Sequence, residues 1–251
     1  MSEIIIAYDV LRVINAKPLF AKDHFTRLKK SALSVDSDIK FNEKTFLSKI
    51  FDEINSNKII NGNIKTQIFI DKQNKSYTIE SKQIPHHYPE NRDYLNGVNT
   101  MTYKFTREDP NNKIFNQQIR EITDKMISTN QVYEVLYVNS ENCLTEGSRS
   151  NLFFVQNDEL ISAPLADILP GVTRKFILQE AKHTGLKLIE KKIDLNEIKN
   201  FDAAFISGTS PNILPIKKID EIEFSVNNPK LRLLMKNFDI LIIEDIDSFC
   251  F

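Results

Sequence analysis

Apolar and polar positions alternate along residues 3–15, which predicts a strand at the start of the chain. A helix is expected from Asp23, a typical N-cap residue, and a second amphipathic helix is expected over residues 41–56, where apolar side chains recur at helical spacing. Residues 65–71 and 75–81 then predict a two-stranded hairpin. The first third of the chain therefore has the pattern of strands combined with two helices.

The apolar pattern lapses between Ile84 and Asn96, where two prolines and mostly polar residues indicate a linker. Strands and helices alternate after it, so we expect an α/β or α+β protein of two domains. The expected elements are a strand at 98–105, a helix with Phe115, Ile119, Ile122 and Met126 on one stripe, strands at 132–139 and 150–155, a helix at 173–184 ended by Gly185, strands at 187–193 and 202–207 around a short helix at 195–200, a strand at 212–219, and a closing helix from Lys230 to Phe238.

Composition and charge narrow the class of protein. With 41% hydrophobic and 27% charged residues, the chain has a globular and not a disordered composition. Thirty-three basic and thirty-four acidic residues lack the basic excess of a dedicated nucleic-acid binder. No apolar run approaches a membrane span, the first ten residues are too acidic for a secretory signal, and two cysteines are too few for a disulfide scaffold. We therefore expect a reduced, cytoplasmic protein that binds neither nucleic acid nor membrane.

Glycine is scarce in this chain, which has six where average usage would give about 18. Three of them, Gly147, Gly171 and Gly208, lie in the polar turns TEGSRSN, LPGVTR and SGTSPN. A single glycine in a polar segment is most simply explained by a tight turn. Three such glycines, each in a polar turn, favour a functional site at these turns.

The sequence lacks the common nucleotide-binding, hydrolase and metalloprotease motifs. His86 and His87 are adjacent in the linker, so a solvated loop is favoured over a metal site, and no metal is expected. The GVTR turn at a helix start and the SGTSPN turn both offer backbone amides and hydroxyls to an anion. Each turn alone fits an ordinary cap, whereas the two together favour a phosphate-bearing cofactor.

Five motifs in order carry a resemblance to a known family. The stretches LTEGSRSNLFFV, LISAPLADILPGVTRKFILQEAKHTG and FDAAFISGTSPNILPIKKID, preceded by DHFTRLKKSA and KIFN, resemble the class IV pyridoxal-phosphate aminotransferases. That family includes branched-chain aminotransferase, D-amino acid aminotransferase and aminodeoxychorismate lyase. The resemblance covers nearly the whole chain.

The resemblance implies a pyridoxal 5′-phosphate site. Lys113, which opens KIFN, matches the lysine that forms the internal aldimine, and Glu146 matches the acid that faces the pyridine nitrogen. Such a lysine supplies covalent catalysis and proton transfer, and such an acid keeps the ring an electron sink. Arg27 in HFTRL matches the arginine that binds the cofactor phosphate. Positions in the two phosphate-binding turns are matched by Val172, Thr173, Thr209 and Ser210.

The substrate side of the site departs from the family pattern. Tyr8 in YDVLRV aligns with an aromatic residue of the substrate pocket. The small-domain loop that often carries Arg and His for the substrate carboxylate has only lysines here, between Lys72 and Lys75. Arg149 and Arg107 are the candidates to replace it. Each also has a simpler interpretation, Arg107 as a solvated strand end and Arg149 as a surface turn residue.

By resemblance the fold is α+β with two domains, the class IV aminotransferase (fold type IV) architecture with a shortened N-terminal domain. We expect a small α+β domain at 1–88, a linker at 89–96, a larger cofactor-binding α/β domain at 97–251, and a homodimer. The implied function is transfer of an amino group between an amino acid and a 2-oxo acid. Two alternatives stay open: a lyase that releases pyruvate from aminodeoxychorismate, and a shortened relative that binds the cofactor without turnover.

Overall fold

The computed structural model describes residues 4–86 and 88–250, so His87 of the predicted linker loop lies outside the described residues. The chain groups into two compact units. Unit 1 consists of Met1–His87, Asn112–Phe115 and Leu241–Phe251, and unit 2 consists of Tyr88–Asn111 and Asn116–Ile240. The chain first leaves unit 1 for unit 2 at residues 87–88, next to the predicted linker at 89–96. No pattern in the sequence indicated that two later segments belong to unit 1.

Unit 1 is built on an antiparallel sheet of four strands in the order β2-β1-β3-β4. The strands are β1 (Ile4–Ile14), β2 (Lys17–Pro18), β3 (Gly62–Asp71) and β4 (Ser76–Ile84). The predicted first strand and hairpin are confirmed. Because side chains alternate between faces, the register of β1 on β3 places Tyr8 opposite Gln67 and Val10 opposite Lys65 on one face, and Asp9 opposite Thr66 on the other.

Two helices, α1 (Ala21–Val35) and α2 (Glu43–Asn57), pack with this sheet around one hydrophobic core. The helices were predicted, but α1 begins two residues before Asp23, which lies in its first turn. Its N-cap is Phe20, held in the left-handed conformation while its amide donates to Asp245 Oδ2 at 2.8 Å. The fully buried core side chains include Leu11, Leu28, Phe46, Ile50, Ile64, Ile68 and Ile70.

Unit 2 contains a ten-stranded sheet in the order β10-β9-β8-β12-β13-β5-β6-β7-β11, with β14 paired to β13. The additional pairing of β7 with β8 closes six of these strands into a barrel. The strands are β5 (Val98–Lys104), β6 (Glu134–Val138), β7 (Cys143–Gly147), β8 (Asn151–Gln156), β9 (Glu159–Ser162), β10 (Lys187–Glu190), β11 (Ile193–Asp194), β12 (Ala203–Gly208), β13 (Asn212–Ile219) and β14 (Ile222–Glu223).

The remaining helices differ from the expected ones at three places. They are α3 (Asn91–Asn96) inside the predicted linker, α4 (Gln117–Asn130), α5 (Val172–His183) and α6 (Pro229–Ser248), with single 3-10 turns at Leu165–Asp167 and Ile198–Asn200. Phe115 was expected on the stripe of α4, but α4 begins after Asn116, whose side chain caps it. α6 runs beyond the predicted end at Phe238, because Ile242 and Ile246 are also buried. Gly185 follows α5 with φ +72°, as the predicted helix end requires.

Candidate active site

Lys113 lies in unit 1, in a short extended segment beside β1. Its backbone carbonyl accepts the Tyr8 amide at 3.1 Å, and its own amide donates to Ser31 Oγ of α1 at 2.9 Å. Ile114 forms a bridge with Ala7, and the Phe115 amide donates to the Ile6 carbonyl at 2.9 Å. The strand and the helix thus hold the lysine backbone from both sides, which fixes where its side chain starts.

Four side chains form what we call the Tyr8 cluster: Tyr8, Lys65, Lys113 and Phe115. The Lys113 Nζ lies 5.0 Å from the Tyr8 ring centroid, and the Lys65 Nζ lies 5.1 Å from the same centroid. Phe115 meets the Tyr8 ring edge-on at 5.8 Å and also contacts the Lys65 ammonium, 4.6 Å from its centroid. Two ammonium groups therefore share one aromatic ring, in the favourable arrangement of a cation near a π face.

Arg27 lies in a buried charge network with Asp9 and His24. Its Nε and Nη2 donate to the two oxygens of Asp9, each at 2.7 Å, and His24 Nδ1 lies 2.7 Å from Asp9 Oδ1. Asp9 and His24 are almost completely buried. A bidentate charge pair of this kind fixes the plane of the guanidinium group. Sequence reasoning did not single out Asp9 and His24; the signal was an acid at an inward position of an otherwise apolar alternation in β1.

The network changes the acid–base properties of its members. Burial by itself raises the pKa of Asp9, but the charges and hydrogen bonds of Arg27 and His24 outweigh it and hold that pKa well below its usual range. Burial is the largest influence on the pKa of His24 and lowers it. The Asp9 carboxylate raises that pKa, the charges of Arg27 and Lys113 lower it, and the net result is a lowered pKa. His24 is therefore neutral near pH 7, and Asp9 is ionised.

Glu146 lies in unit 2, buried at the end of β7. Its Oε2 accepts the Leu169 amide at 3.0 Å and the Asn151 side-chain amide at 3.3 Å. Its Oε1 lies 2.8 Å from Nε of Arg107, an ion pair without the alignment of a hydrogen bond. The carboxylate is thus held in place by a backbone amide, a side-chain amide and a guanidinium.

Asn151 connects Glu146 to the LPGVTR turn. Its Nδ2 also donates to the Leu169 carbonyl at 2.8 Å, and a Cβ added at Gly171 would lie only 2.1 Å from its Oδ1. Glycine is required at 171 because any side chain would displace Asn151. The acid predicted to face the cofactor ring and the turn predicted to bind the phosphate therefore share one supporting side chain, which sequence reasoning missed.

Glu134 accepts hydrogen bonds from the TEGSRSN turn. Its Oε1 accepts Ser148 Oγ at 2.6 Å, and its Oε2 accepts Ser150 Oγ at 2.9 Å and the Arg149 amide at 3.2 Å. The carboxylate is buried, so these donors replace the water it gives up. Glu134 was also missed, because an acid inside a strand carries no local sign of a partner fourteen residues away.

The two predicted phosphate turns are both in unit 2. Val172 and Thr173 begin α5, whose N-cap residue Gly171 has no side chain to satisfy the first amides of the helix. Thr209 and Ser210 follow β12 directly. A Cβ added at Gly208, the last residue of β12, would lie 3.4 Å from the carbonyl oxygen of Arg149. Among the described residues, the buried Ser207 hydroxyl has no hydrogen-bond partner. Donors with these properties fit a phosphate group.

The predicted site residues thus form two sets. Unit 1 contains Tyr8, Arg27 and Lys113, of which Tyr8 and Lys113 are in contact. Unit 2 brings together Glu146 with the turns at 171–173 and 207–210. Of the two carboxylate candidates, Arg107 pairs with Glu146, and Arg149 pairs with Asp124 on an exposed surface. Their predicted role toward a substrate, like the cofactor roles of the others, stays a prediction.

The described part of the chain gives little support for a metal site, a membrane-spanning helix or a nucleophilic cysteine. No three potential metal-ligating side chains cluster there, and no helix there is both long and apolar enough to cross a membrane. Burial raises the pKa of the Cys143 thiol, which makes it a poor nucleophile.

Comparison with known proteins identifies the family. Residues 7–219 match the family described as amino-transferase class IV. The chain is 25% identical over 227 residues to the D-alanine aminotransferase of Bacillus licheniformis, covering 85% of this chain and 78% of that protein.

Solved structures share the fold. A protein of Legionella pneumophila provisionally named a 4-amino-4-deoxychorismate lyase superposes with a TM-score of 0.84 at 21% identity, covering 96% of this chain and 91% of that one. The pyridoxal-phosphate form of the branched-chain amino acid aminotransferase of Thermobaculum terrenum superposes with a TM-score of 0.80 at 21% identity, covering 96% and 85%. The α+β fold and the family predicted from the sequence are confirmed. The chain belongs to the class IV aminotransferases, a family of pyridoxal-phosphate enzymes, and is itself an enzyme of the aminotransferase type.

Proposed function

We propose that this protein binds pyridoxal 5′-phosphate through Lys113 and transfers an amino group between an amino acid and a 2-oxo acid. The observation that carries the proposal is the anchoring of Lys113. Hydrogen bonds to Tyr8 and Ser31 hold its backbone, and its ammonium lies against the Tyr8 ring. A lysine that has to bond covalently and then move a proton needs such a fixed origin for its side chain.

The donors present in the chain fit the cofactor. The phosphate is a dianion at neutral pH, and the amides at Val172 and Thr173 with the partnerless hydroxyl of Ser207 offer it donors in unit 2. Arg27 offers a guanidinium in unit 1, where Asp9 engages one edge of its fork and sets its plane. Glu146 supplies the carboxylate for a protonated ring nitrogen.

The bound cofactor would supply an electron sink for the charge that develops at the substrate α-carbon. The chain's own residues have separate tasks. Glu146, held by Leu169 and Asn151, would keep a proton on the ring nitrogen. Lys113 would act as the base that takes the α-proton and as the acid that returns a proton, which is the role of a positioned amine.

Borohydride reduction followed by peptide mapping tests the attachment, because reduction makes the link between lysine and cofactor permanent. We expect the label on Lys113 and none on Lys113→Ala. Lys104→Ala and Lys125→Ala are the controls, and both should keep the label and the activity. A label on Lys104 or Lys125, or an unlabelled wild-type chain, would contradict the proposal.

The amino-acid substrate is the finer question. The name of the Bacillus licheniformis relative refers to D-alanine, and that of the Thermobaculum terrenum relative refers to branched-chain amino acids. A panel of three substrates separates transamination from the lyase reaction. Loss of cofactor absorbance with D-alanine or L-leucine reports transamination, and pyruvate released from aminodeoxychorismate reports the lyase reaction. Cofactor binding without turnover of any of the three would favour the alternative of an inactive relative. A homodimer and a cytoplasmic location stay predictions, the first checked by sedimentation.

A further inference from the structure

We propose that Arg107 acts on the cofactor ring through Glu146, because its positive charge weakens the hold of that carboxylate on the ring-nitrogen proton. The inference rests on the proposed function, since it takes Glu146 as the acid that faces the ring nitrogen. It makes Arg107 a positioning residue of the ring acid, in place of the substrate-carboxylate role that the sequence had suggested.

Arg107 and Glu146 form a close and largely buried ion pair within unit 2. The Arg107 Nε lies 2.8 Å from the Glu146 Oε1, and the two side chains are 24% and 3% exposed. The Arg107 Nε does not align a hydrogen bond there, so the guanidinium acts on this oxygen chiefly through its charge. Water and salt screen a buried charge weakly, and the carboxylate therefore experiences most of it.

Tyr137 of β6 supports the guanidinium from a neutral ring. The Arg107 guanidinium carbon lies 5.7 Å from the Tyr137 ring centroid, within the range of a cation–π contact. Burial raises the pKa of Tyr137 to about 12, so its hydroxyl carries no negative charge near neutral pH. Tyr137 therefore holds the guanidinium without neutralising it.

The position of Glu146 does not depend on this charge alone. Its Oε2 accepts the Leu169 amide at 3.0 Å and the Asn151 side-chain amide at 3.3 Å. Glu134 shows that neutral donors can accommodate a buried carboxylate in the same unit, since hydroxyls and backbone amides bind both of its oxygens. The cation beside Glu146 thus adds an electrostatic effect to a carboxylate that neutral donors also hold.

Electrostatics gives the sign of that effect. A ring nitrogen that keeps its proton beside Glu146 carries a positive charge, which the carboxylate stabilises. Arg107 brings a second positive charge to the same carboxylate, so the two cations compete for it. Loss of the Arg107 charge should therefore strengthen the hold on the ring-nitrogen proton. If Arg107 only oriented Glu146, its loss would weaken that hold, so the two roles predict opposite changes.

Two probes measure this hold without any turnover. Pyridoxamine 5′-phosphate has the ring nitrogen, and 1-deazapyridoxamine 5′-phosphate has a carbon in its place. Calorimetry on the full chain gives the affinity ratio, which is the dissociation constant of the deaza probe divided by that of the nitrogen probe. The variants are Arg107→Met, Arg107→Gln, Arg107→Lys, Glu146→Gln and Arg92→Met, each checked for folding by circular dichroism. Arg92 is the control, an arginine of the same unit that is 74% exposed and pairs with Glu90.

We expect Arg107→Met and Arg107→Gln to raise the affinity ratio about tenfold, the lower end of what one neighbouring charge does to a proton affinity. Glutamine keeps a donor without the charge, so Arg107→Gln decides the question if Arg107→Met does not fold. Arg107→Lys keeps the charge and should stay within about threefold of wild type. Arg92→Met should leave the ratio unchanged, and Glu146→Gln should lower it, because the ring proton loses its charged acceptor.

The outcomes separate this inference from the proposed function. An unchanged or lower ratio in the uncharged Arg107 variants would overturn the inference, and an unchanged ratio is what a substrate-carboxylate role predicts, since neither probe carries a carboxylate. A ratio raised equally in Arg107→Lys would overturn it as well, because the charge would not be the cause. If Glu146→Gln still lowers the ratio in these cases, the proposed function stands. An unchanged ratio in Glu146→Gln would overturn both the inference and the assignment of Glu146 as the ring acid.

Discussion

The two sets of candidate site residues are built on different physical principles. In unit 1, Arg27 is held by the charge of Asp9 and by a neutral histidine, side chain against side chain in a buried environment. In unit 2, Glu134 is held by two hydroxyls and backbone amides. Glu146 is held by a backbone amide and a side-chain amide beside its ion pair with Arg107. The Arg27 network depends on ionisation states, whereas the contacts of Glu134 depend on the shape of the turn that it holds.

The two kinds of support are vulnerable to different substitutions. Removing one member of a buried ion pair leaves an uncompensated charge, which is among the most destabilising changes a protein can undergo. Removing a carboxylate that accepts from hydroxyls and amides leaves neutral donors, and water or small shifts can satisfy some of them.

Asp9→Ala should lower the free energy of unfolding by about 3–5 kcal/mol, because Arg27 stays buried without its counter-charge. Urea denaturation at pH 7 measures the change. Glu80→Gln is the control, since the Glu80–Lys82 pair is exposed and should contribute less than about 1 kcal/mol. Equal effects of the two substitutions would contradict the idea that burial makes the Asp9 network different.

Glu134→Ala should lower the free energy of unfolding by about 1–3 kcal/mol, because the hydroxyls of Ser148 and Ser150 lose their buried acceptor. The same variant should weaken cofactor binding, since the TEGSRSN turn carries Glu146. Equilibrium unfolding and titration with pyridoxal phosphate measure the two effects. A loss as large as that of Asp9→Ala would remove the contrast between the two units.

Gly171→Ala should destabilise the protein by about 1–2 kcal/mol and lower cofactor affinity, because the new methyl group would overlap Asn151 Oδ1. Gly208→Ala is the matched control in the other predicted phosphate turn. Its methyl group would make only ordinary contacts, the nearest at 3.4 Å to the Arg149 carbonyl. Thermal unfolding and cofactor titration compare the two. Equal effects would mean that Asn151 moves aside without consequence.

Acidification should destabilise the protein through His24 as the pH falls below the ordinary histidine pKa of 6.5. The pKa of His24 is lowered in the folded chain, so below the ordinary value of 6.5 the unfolded chain binds a proton that the folded chain does not, and stability falls as the pH falls. Asp9 does not contribute in this pH range, because its lowered pKa keeps the carboxylate ionised throughout the range.

The pH dependence of the urea midpoint measures this effect. His24→Gln should remove that part of the slope, whereas His183→Gln should not, because His183 is exposed. A slope that survives in His24→Gln would place the titrating group elsewhere.

Most regular elements of this protein were determined by local sequence. A strand or a helix has to present one apolar face to a core. The alternating pattern of β1 and β3 therefore predicts strands, and the helical spacing of apolar residues in α2 predicts a helix. The order of the motifs was enough to identify the family. The polar turns around Gly147, Gly171 and Gly208 were recognisable because their composition departs from the rest of the chain.

Contacts between residues far apart in the chain depend on the tertiary fold. Phe115 has the spacing of a residue on α4, yet it belongs to unit 1, because backbone hydrogen bonds to β1 compete with the helix and Asn116 begins the helix after it. The pairing of Asp9 with Arg27, and of Glu134 with Ser148 and Ser150, joins residues 14 to 18 positions apart. Burial removes water from each of these groups, and the partner that replaces the water is chosen by packing, which no local pattern of residues records.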